Sequence, residues 1–393
     1  MQLLQNRRIL LLTESYAPEI GGIQNYLSEL VAQLSPAHTF VLAEKQVNAD
    51  AWDAQRKYKI VRFDMSRFSV PRWRSVYKQL EKAVVEFQPE VIVCGKALFE
   101  GRAANRIFKK TGIPYVVMTY GMEINTWLKN WKTKRDLLNV LGNAQNIFVI
   151  NEQIKSCLIK ELKSKGNVNC ESKFIKMYPG VDDYFSQPCE DGEKIKKELE
   201  IEGKKVIVSV CRIVHRKGID VVINAMKNIG NEVPEAVYLV LGDGSEKNSL
   251  EKLAQEKGVD KKVKFLGRVS REKLRAVFQI SDLFVLTPRD EDGNMEGFGI
   301  VYLEAAMAGL CAVGSRSGGV PEAIMNNQTG LLAQENDVDD TAGKIIKLLK
   351  DDVLRRGLAD NAHARAKSEF SWQNRGILFR GVVESVVNSK TSE

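Results

Sequence analysis

Short apolar runs alternate with amphipathic helical stretches along almost the whole chain, and the series starts twice. The first set of expected strands covers 8–13, 39–44, 60–64, 91–95, 115–120, 147–150 and 174–178. Helical patterns at 23–34, 73–87, 98–110, 131–141 and 153–163 separate them. Pro179-Gly180 and the polar stretch 187–192 interrupt the rhythm. A second set of strands follows at 206–211, 237–242, 263–266, 283–286, 311–314 and 331–333. Its helices are expected at 220–228, 247–257, 271–279, 301–308 and 320–325, with closing helices at 338–349, 353–368 and 373–387. Strands separated by helices demand parallel sheets covered on both faces. The expected fold class is therefore α/β, with two facing Rossmann-like doubly wound domains and a cleft between them. The first domain is expected over 1–185, with the last helix, 372–393, packing back on it, and the second over 186–371.

Ligands of such sheets bind beyond the carboxyl ends of the strands, so the strand-to-helix junctions carry the chemistry. In the first, Gly21-Gly22-Ile23-Gln24-Asn25 puts two glycines at a helix start, where backbone can approach an anion. It is not the dinucleotide fingerprint G-x-G-x-x-G. In Cys211-Arg212-Ile213-Val214-His215-Arg216-Lys217-Gly218, Arg212 and Lys217 bracket a loop suited to phosphate. In Glu296-Gly297-Phe298-Gly299-Ile300-Val301-Tyr302-Leu303-Glu304, one carboxylate lies in a glycine-rich loop and the other a little over a turn into an apolar helix. Backbone N–H groups of Phe298, Gly299 and Ile300 could hold sugar hydroxyls or phosphate oxygens. Thr119-Tyr120-Gly121-Met122-Glu123 ends a strand of the first domain and aims Tyr120 at the cleft. Gly242-Asp243-Gly244 reads as a plain turn, and Asp290-Glu291-Asp292 as a solvated acidic loop rather than a metal site.

Taken together, these junctions resemble family 4 of the retaining glycosyltransferases, which have the GT-B fold. The likeness covers nearly the whole chain and is nearest to bacterial GDP-mannose-dependent mannosyltransferases of the phosphatidylinositol mannoside type. Ser317-Gly318-Gly319-Val320-Pro321-Glu322 also fits that family. The resemblance implies transfer of a hexose, mannose favoured, from a nucleotide diphosphate sugar to a hydroxyl of a glycan or lipid-linked acceptor. Arg212 and Lys217 would neutralise the diphosphate and Glu296 would sit by the donor sugar. Gly297, Phe298, Gly299 and Ile300 would cradle the sugar, Glu304 would bind the ribose, and Val269 would belong to the same donor site. Gly21 and Gly22 would approach the diphosphate from the first domain. Tyr120 stands where many members have histidine; it can donate a hydrogen bond but carries no positive charge. No cofactor and no metal is implied: the nucleotide sugar is a co-substrate, GDP-mannose favoured, with UDP-sugars open. The alternative is a catalytically silent nucleotide-sugar-binding scaffold of the same fold.

The balance of 58 Lys+Arg against 50 Asp+Glu, a net charge of +8, suits an anionic partner. Neither a zinc-finger spacing nor a long basic arm is present, so nucleic acid is not the expected one. Arg72, Arg74, Lys129, Lys132, Lys134 and Arg135 accompany Phe68, Trp73, Trp127 and Trp131, a mixture suited to an anionic membrane surface. The six cysteines form no C-x-x-C pair and read as free thiols. The apolar run 9–12 is too short for a leader, and no stretch reaches the roughly 18 apolar residues of a membrane span. The expected location is cytoplasmic, with peripheral contact at the inner face of the cell membrane.

Overall fold

In a computed structural model, residues 7–19, 21–65, 73–189 and 191–390 are described. The chain divides into two compact units, Met1–Gly180 with Trp372–Glu393, and Val181–Ser371.

The first unit holds seven parallel strands: β1 Ile9–Thr13, β2 Thr39–Glu44, β3 Lys59–Phe63, β4 Val91–Cys94, β5 Tyr115–Thr119, β6 Asn146–Val149 and β7 Phe174–Lys176. Their order is β3-β2-β1-β4-β5-β6-β7, so the direction of winding reverses between β1 and β4. All five residues of β1 are buried, as a strand covered on both faces requires. Leu10 and Leu12 are fully buried there; each such side chain contributes roughly 1.5–3 kcal/mol. The covering helices are α1 Gly22–Ala32, α2 Ala49–Asp53, α3 Trp73–Phe87, α4 Phe99–Thr111, α5 Met122–Lys129, α6 Trp131–Asn143 and α7 Glu152–Lys163.

The second unit holds six parallel strands: β8 Lys205–Val210, β9 Ala236–Leu241, β10 Val263–Gly267, β11 Leu283–Val285, β12 Ala312–Ser315 and β13 Gly330–Ala333. The order β10-β9-β8-β11-β12-β13 reverses between β8 and β11. Its helices are α8 Gly192–Glu198, α9 Ile219–Glu232, α10 Lys247–Glu256, α11 Arg271–Ile280, α12 Ile300–Met307, α13 Val320–Ala323, α14 Val338–Lys350 and α15 Asp352–Glu369.

The closing helix, α16 Trp372–Lys390, belongs to the first unit. Arg380 donates to the Gln33 carbonyl at 2.6 Å, and Phe379 packs on Phe148 with ring centroids 5.6 Å apart. The division between units falls after Gly180, earlier than the boundary expected after 185. The Val181 N–H donates to the Phe370 carbonyl at 2.7 Å, and Phe185 stacks on Phe278 at 5.7 Å, so 181–185 is held by the second unit.

Candidate functional site

The loops leaving β8 and β11 flank the reversal point of the second sheet, where a doubly wound sheet opens a crevice for ligand. The β8 loop carries Arg212 to Gly218 and the β11 loop leads into Glu296. Lys217 Nζ and Arg216 Nη1 both donate to Glu296 Oε2, the second at 3.3 Å. The three side chains are about equally withdrawn from solvent, each 12% exposed. Burial alone would raise the Glu296 pKa, but the two cations outweigh it and hold the carboxyl below its ordinary value. Lys217 has three N–H donors and Arg216 five, so each keeps donors beyond the one given to Glu296. Arg212 is exposed and has no ion pair among the described residues. The sequence pointed to Lys217 and Glu296; it did not single out Arg216, which the fold adds to the pair.

Close backbone packing fixes these loops. Gly218 has φ +70°, and a Cβ there would collide with the Thr287 carbonyl oxygen. Gly242 and Gly244 face the carbonyls of Cys211 and Ile213 in the same way, and Ile213 N–H donates to the Asp243 carbonyl at 2.9 Å. The segment expected as a plain turn is thus a brace under the phosphate-suited loop. Opposite it, the Gly319 N–H donates to the Glu296 carbonyl at 2.9 Å, and Gly319 packs against the Gly297 carbonyl. Phe298 is buried against Phe370, ring centroids 5.5 Å apart, and anchors the loop between Gly297 and Gly299.

Gly299, at φ +85°, starts α12 without a side-chain cap. Tyr302 donates to the Leu286 carbonyl at 2.6 Å and ties α12 to the end of β11. Val301, Leu303 and Ala305 are buried as the apolar pattern requires, while Ile300 is only half-buried. Glu304 is half-buried, and its pKa is pushed up to about 7 by burial, with Arg271 pulling the other way and Asp182 adding to the rise. Val269 is half-buried between β10 and α11.

The acidic loop is not merely solvated. Glu291 pairs with Nδ1 of His215, and Asp290 Oδ1 accepts the Gly293 N–H at 2.6 Å.

In the first unit, the reversal point lies between β1 and β4. Glu100, at the start of α4, is buried and accepts the N–H groups of Glu14, at 2.7 Å, and Lys96. Lys96 Nζ in turn donates to Glu14 at 2.5 Å. Burial, reinforced by the neighbouring Glu14, pushes the Glu100 pKa up to about 8. No motif in the sequence singled out this carboxyl. Gly22 starts α1 with open space where a Cβ would stand, whereas a Cβ on Gly21 would meet the Gln24 side chain. The Tyr120 hydroxyl is buried with no hydrogen-bond partner among the described residues. Its ring lies edge-on to Tyr26 at 5.9 Å, and burial holds its pKa well above the ordinary value.

The aromatic and basic set expected to face a membrane is only partly at the surface. Arg72 and Phe68 lie outside the described residues. Trp73 is buried under Arg102 and Arg106, and Trp127 packs against the core. Lys134 is paired with Glu161 at 2.6 Å. Trp131 stands out, 66% exposed, with Lys132 and Arg135 over its ring. No helix among the described residues is long and apolar enough to cross a membrane.

Comparison with known proteins agrees with this arrangement. The family described as Glycosyl transferases group 1 matches residues 191–365. The chain is 30% identical over 375 residues to a GDP-mannose-dependent alpha-(1-6)-phosphatidylinositol monomannoside mannosyltransferase of Mycobacterium tuberculosis, covering 93% of this chain and 94% of that one. It is 28% identical over 390 residues to a GDP-mannose-dependent monoacylated alpha-(1-6)-phosphatidylinositol monomannoside mannosyltransferase of Corynebacterium glutamicum, covering 97% and 98% of the two chains. Among solved structures, Anabaena Alr3699/HepE in complex with UDP superposes with a TM-score of 0.80 at 18% identity, covering 96% of this chain and all of that one. That likeness bears on the fold alone, which is of the GT-B class. Two doubly wound units, a cationic loop paired with a largely buried glutamate, and kinship over 93% of the chain place it in the group 1 glycosyltransferases.

Proposed function

We propose that the chain is a retaining hexosyltransferase that moves mannose from GDP-mannose to a hydroxyl of a glycan or lipid-linked acceptor. The observation that carries the proposal is the Lys217–Arg216–Glu296 cluster at the β8/β11 reversal point. A diphosphate leaving group gains negative charge as the bond from the anomeric carbon to its oxygen breaks. Arg212 and Lys217 meet that charge, and one well-placed group of this kind is worth roughly 10²–10³ in rate. Glu296, kept ionised by its two cations, faces the positive charge that develops on the sugar. Gly297, Phe298, Gly299 and Ile300 hold the sugar's hydroxyls, and Val269 and Glu304 the nucleoside, with Glu304 on the ribose diol. The acceptor oxygen bonds to the anomeric carbon on the face the leaving group departs from, and its proton passes to a diphosphate oxygen. That route needs no separate protein base and no metal.

The names of the mycobacterial and corynebacterial relatives support GDP-mannose and a phosphatidylinositol mannoside class of acceptor. Trp131 with Lys132 and Arg135 suits an anionic membrane surface at which such an acceptor would be met. The test is incubation of GDP-mannose with a phosphatidylinositol monomannoside, with and without EDTA, followed by assignment of the anomeric configuration of the product. The α-mannoside, formed equally in EDTA, is the expected outcome. An inverted product would overturn retention, and loss of transfer in EDTA would overturn the metal-free route.

A further inference from the structure

Beside the Lys217–Glu296 pair, a second chain of polar side chains spans the same two loops. Asp220, in the first turn of α9, accepts from Arg289 Nη2. Arg289 Nη1 lies 3.0 Å from Nε2 of His215, and His215 Nδ1 meets Glu291 Oε1. The directions of these bonds are fixed by what each group can do. Arginine has no acceptor, so Nε2 of His215 must accept. The imidazole is then neutral, with its proton on Nδ1 donated to Glu291. Arg289 is buried, and its Nε has no partner among the described residues, so the two Nη bonds carry its side chain. Its backbone N–H also donates to the Arg216 carbonyl at 2.8 Å.

We propose that the Asp220–Arg289–His215–Glu291 chain is a positioning latch for the donor site. It ties the loop carrying Arg212 and Lys217 to the loop that delivers Glu296, and so sets where the cationic pair and its carboxylate stand. This inference rests on the donor-site reading above. His215 is two residues before Lys217, and Glu291 precedes Glu296 on a loop that holds its own turn through Asp290. Slack in either loop moves one partner of the pair relative to the other. His215 is 59% exposed, so the latch acts through loop placement rather than by adding much stability.

Two measurements test it. The chain has three histidines, so side-chain ¹⁵N spectra of histidine-labelled protein at neutral pH, assigned with His215→Gln, read the tautomer of His215 directly. A neutral ring with the proton on Nδ1 is expected; a proton on Nε2 overturns the latch. This readout does not depend on the enzyme's substrate and stands if the donor-site reading fails. The second is steady-state kinetics with GDP-mannose. His215→Ala and Glu291→Ala are each expected to raise KM for the donor roughly three- to tenfold, with kcat changed less. The double variant is expected to be no worse than either single one, because both cut the same chain. His215→Gln keeps a donor and an acceptor and is expected to recover part of the loss. Unchanged donor KM in both alanine variants, or fully additive losses, would overturn the proposal while leaving the donor site itself intact.

Discussion

At the scale of single residues, Glu296 shows how an ionised carboxylate survives in a nearly closed site. Taking its charge out of water is costly, and Lys217 and Arg216 offset that cost. Removing one partner of such a group leaves the other uncompensated. Lys217→Ala is therefore expected to lower transfer by roughly 10²–10³ and also to destabilise the second unit. Glu296→Gln keeps the shape but leaves two largely buried cations without their carboxylate, so it is expected to lower both transfer and stability. Comparing kcat/KM and melting temperature across the pair checks both halves; equal activity in all three proteins would remove the cluster from catalysis. Lys217 and Glu296 were legible as residue types at strand ends. Their direct contact was not, because 79 residues separate them and only the β8/β11 adjacency brings them together. Glu100 was invisible for the same reason. On the sequence it looks like one more acid near a helix start, and its burial depends on β1 and β4 being neighbours.

At the scale of elements, the loops are set by glycines that let backbone touch backbone. Gly319 N–H supports the Glu296 carbonyl, and a methyl at 319 would overlap the Gly297 carbonyl oxygen. Backbone cannot yield as a flexible side chain does, so Gly319→Ala is expected to cost about 1–3 kcal/mol and to weaken donor binding. Gly22 has nothing within reach of a Cβ, so Gly22→Ala is expected to melt like the native chain. A Gly319→Ala protein as stable as the Gly22→Ala one in chemical denaturation would contradict this account of the loop. Long elements with strong apolar patterns were legible: α3 spans 73–87 and β2 spans 39–44, as the pattern predicts. Helix α2, a stretch of five residues, and helices α5 and α8 were missed. α8 lies in a polar stretch and buries only Ile195, and α5 is short and begins directly after Gly121, at φ +125°. The glycines at 242 and 244 were read as a turn because a sequence does not show which carbonyls will pass beneath them.

At the scale of the whole molecule, two doubly wound units each place polar groups at the strand ends of their reversal point. This buried polarity gives stability a pH dependence whose sign can be worked out. The Glu100 carboxyl binds its proton up to about pH 8 in the folded chain and releases it near the ordinary 4.5 once unfolded. Over that interval the folded state holds more protons, so the stability Glu100 contributes declines as pH rises and is lost by about pH 8. Glu304, raised to about 7, acts in the same direction. Melting temperature is expected to fall between pH 5 and about 8 more steeply in the native chain than in Glu100→Gln. Parallel curves would mean that Glu100 is ionised in the fold. The double α/β architecture was legible because alternation, with a break between two series, leaves few other folds open.

The most direct test of the donor site is a calorimetric titration of GDP-mannose into the native chain and into Arg212→Ala. Arg212 is exposed and has no ion pair among the described residues, so its removal leaves the fold undisturbed and changes only what a ligand meets. Binding by the native chain that weakens on the order of tenfold or more in the variant is the expected result. Equal affinity in both, or no heat from the native chain with GDP-mannose, would contradict the assignment of the donor diphosphate to this loop.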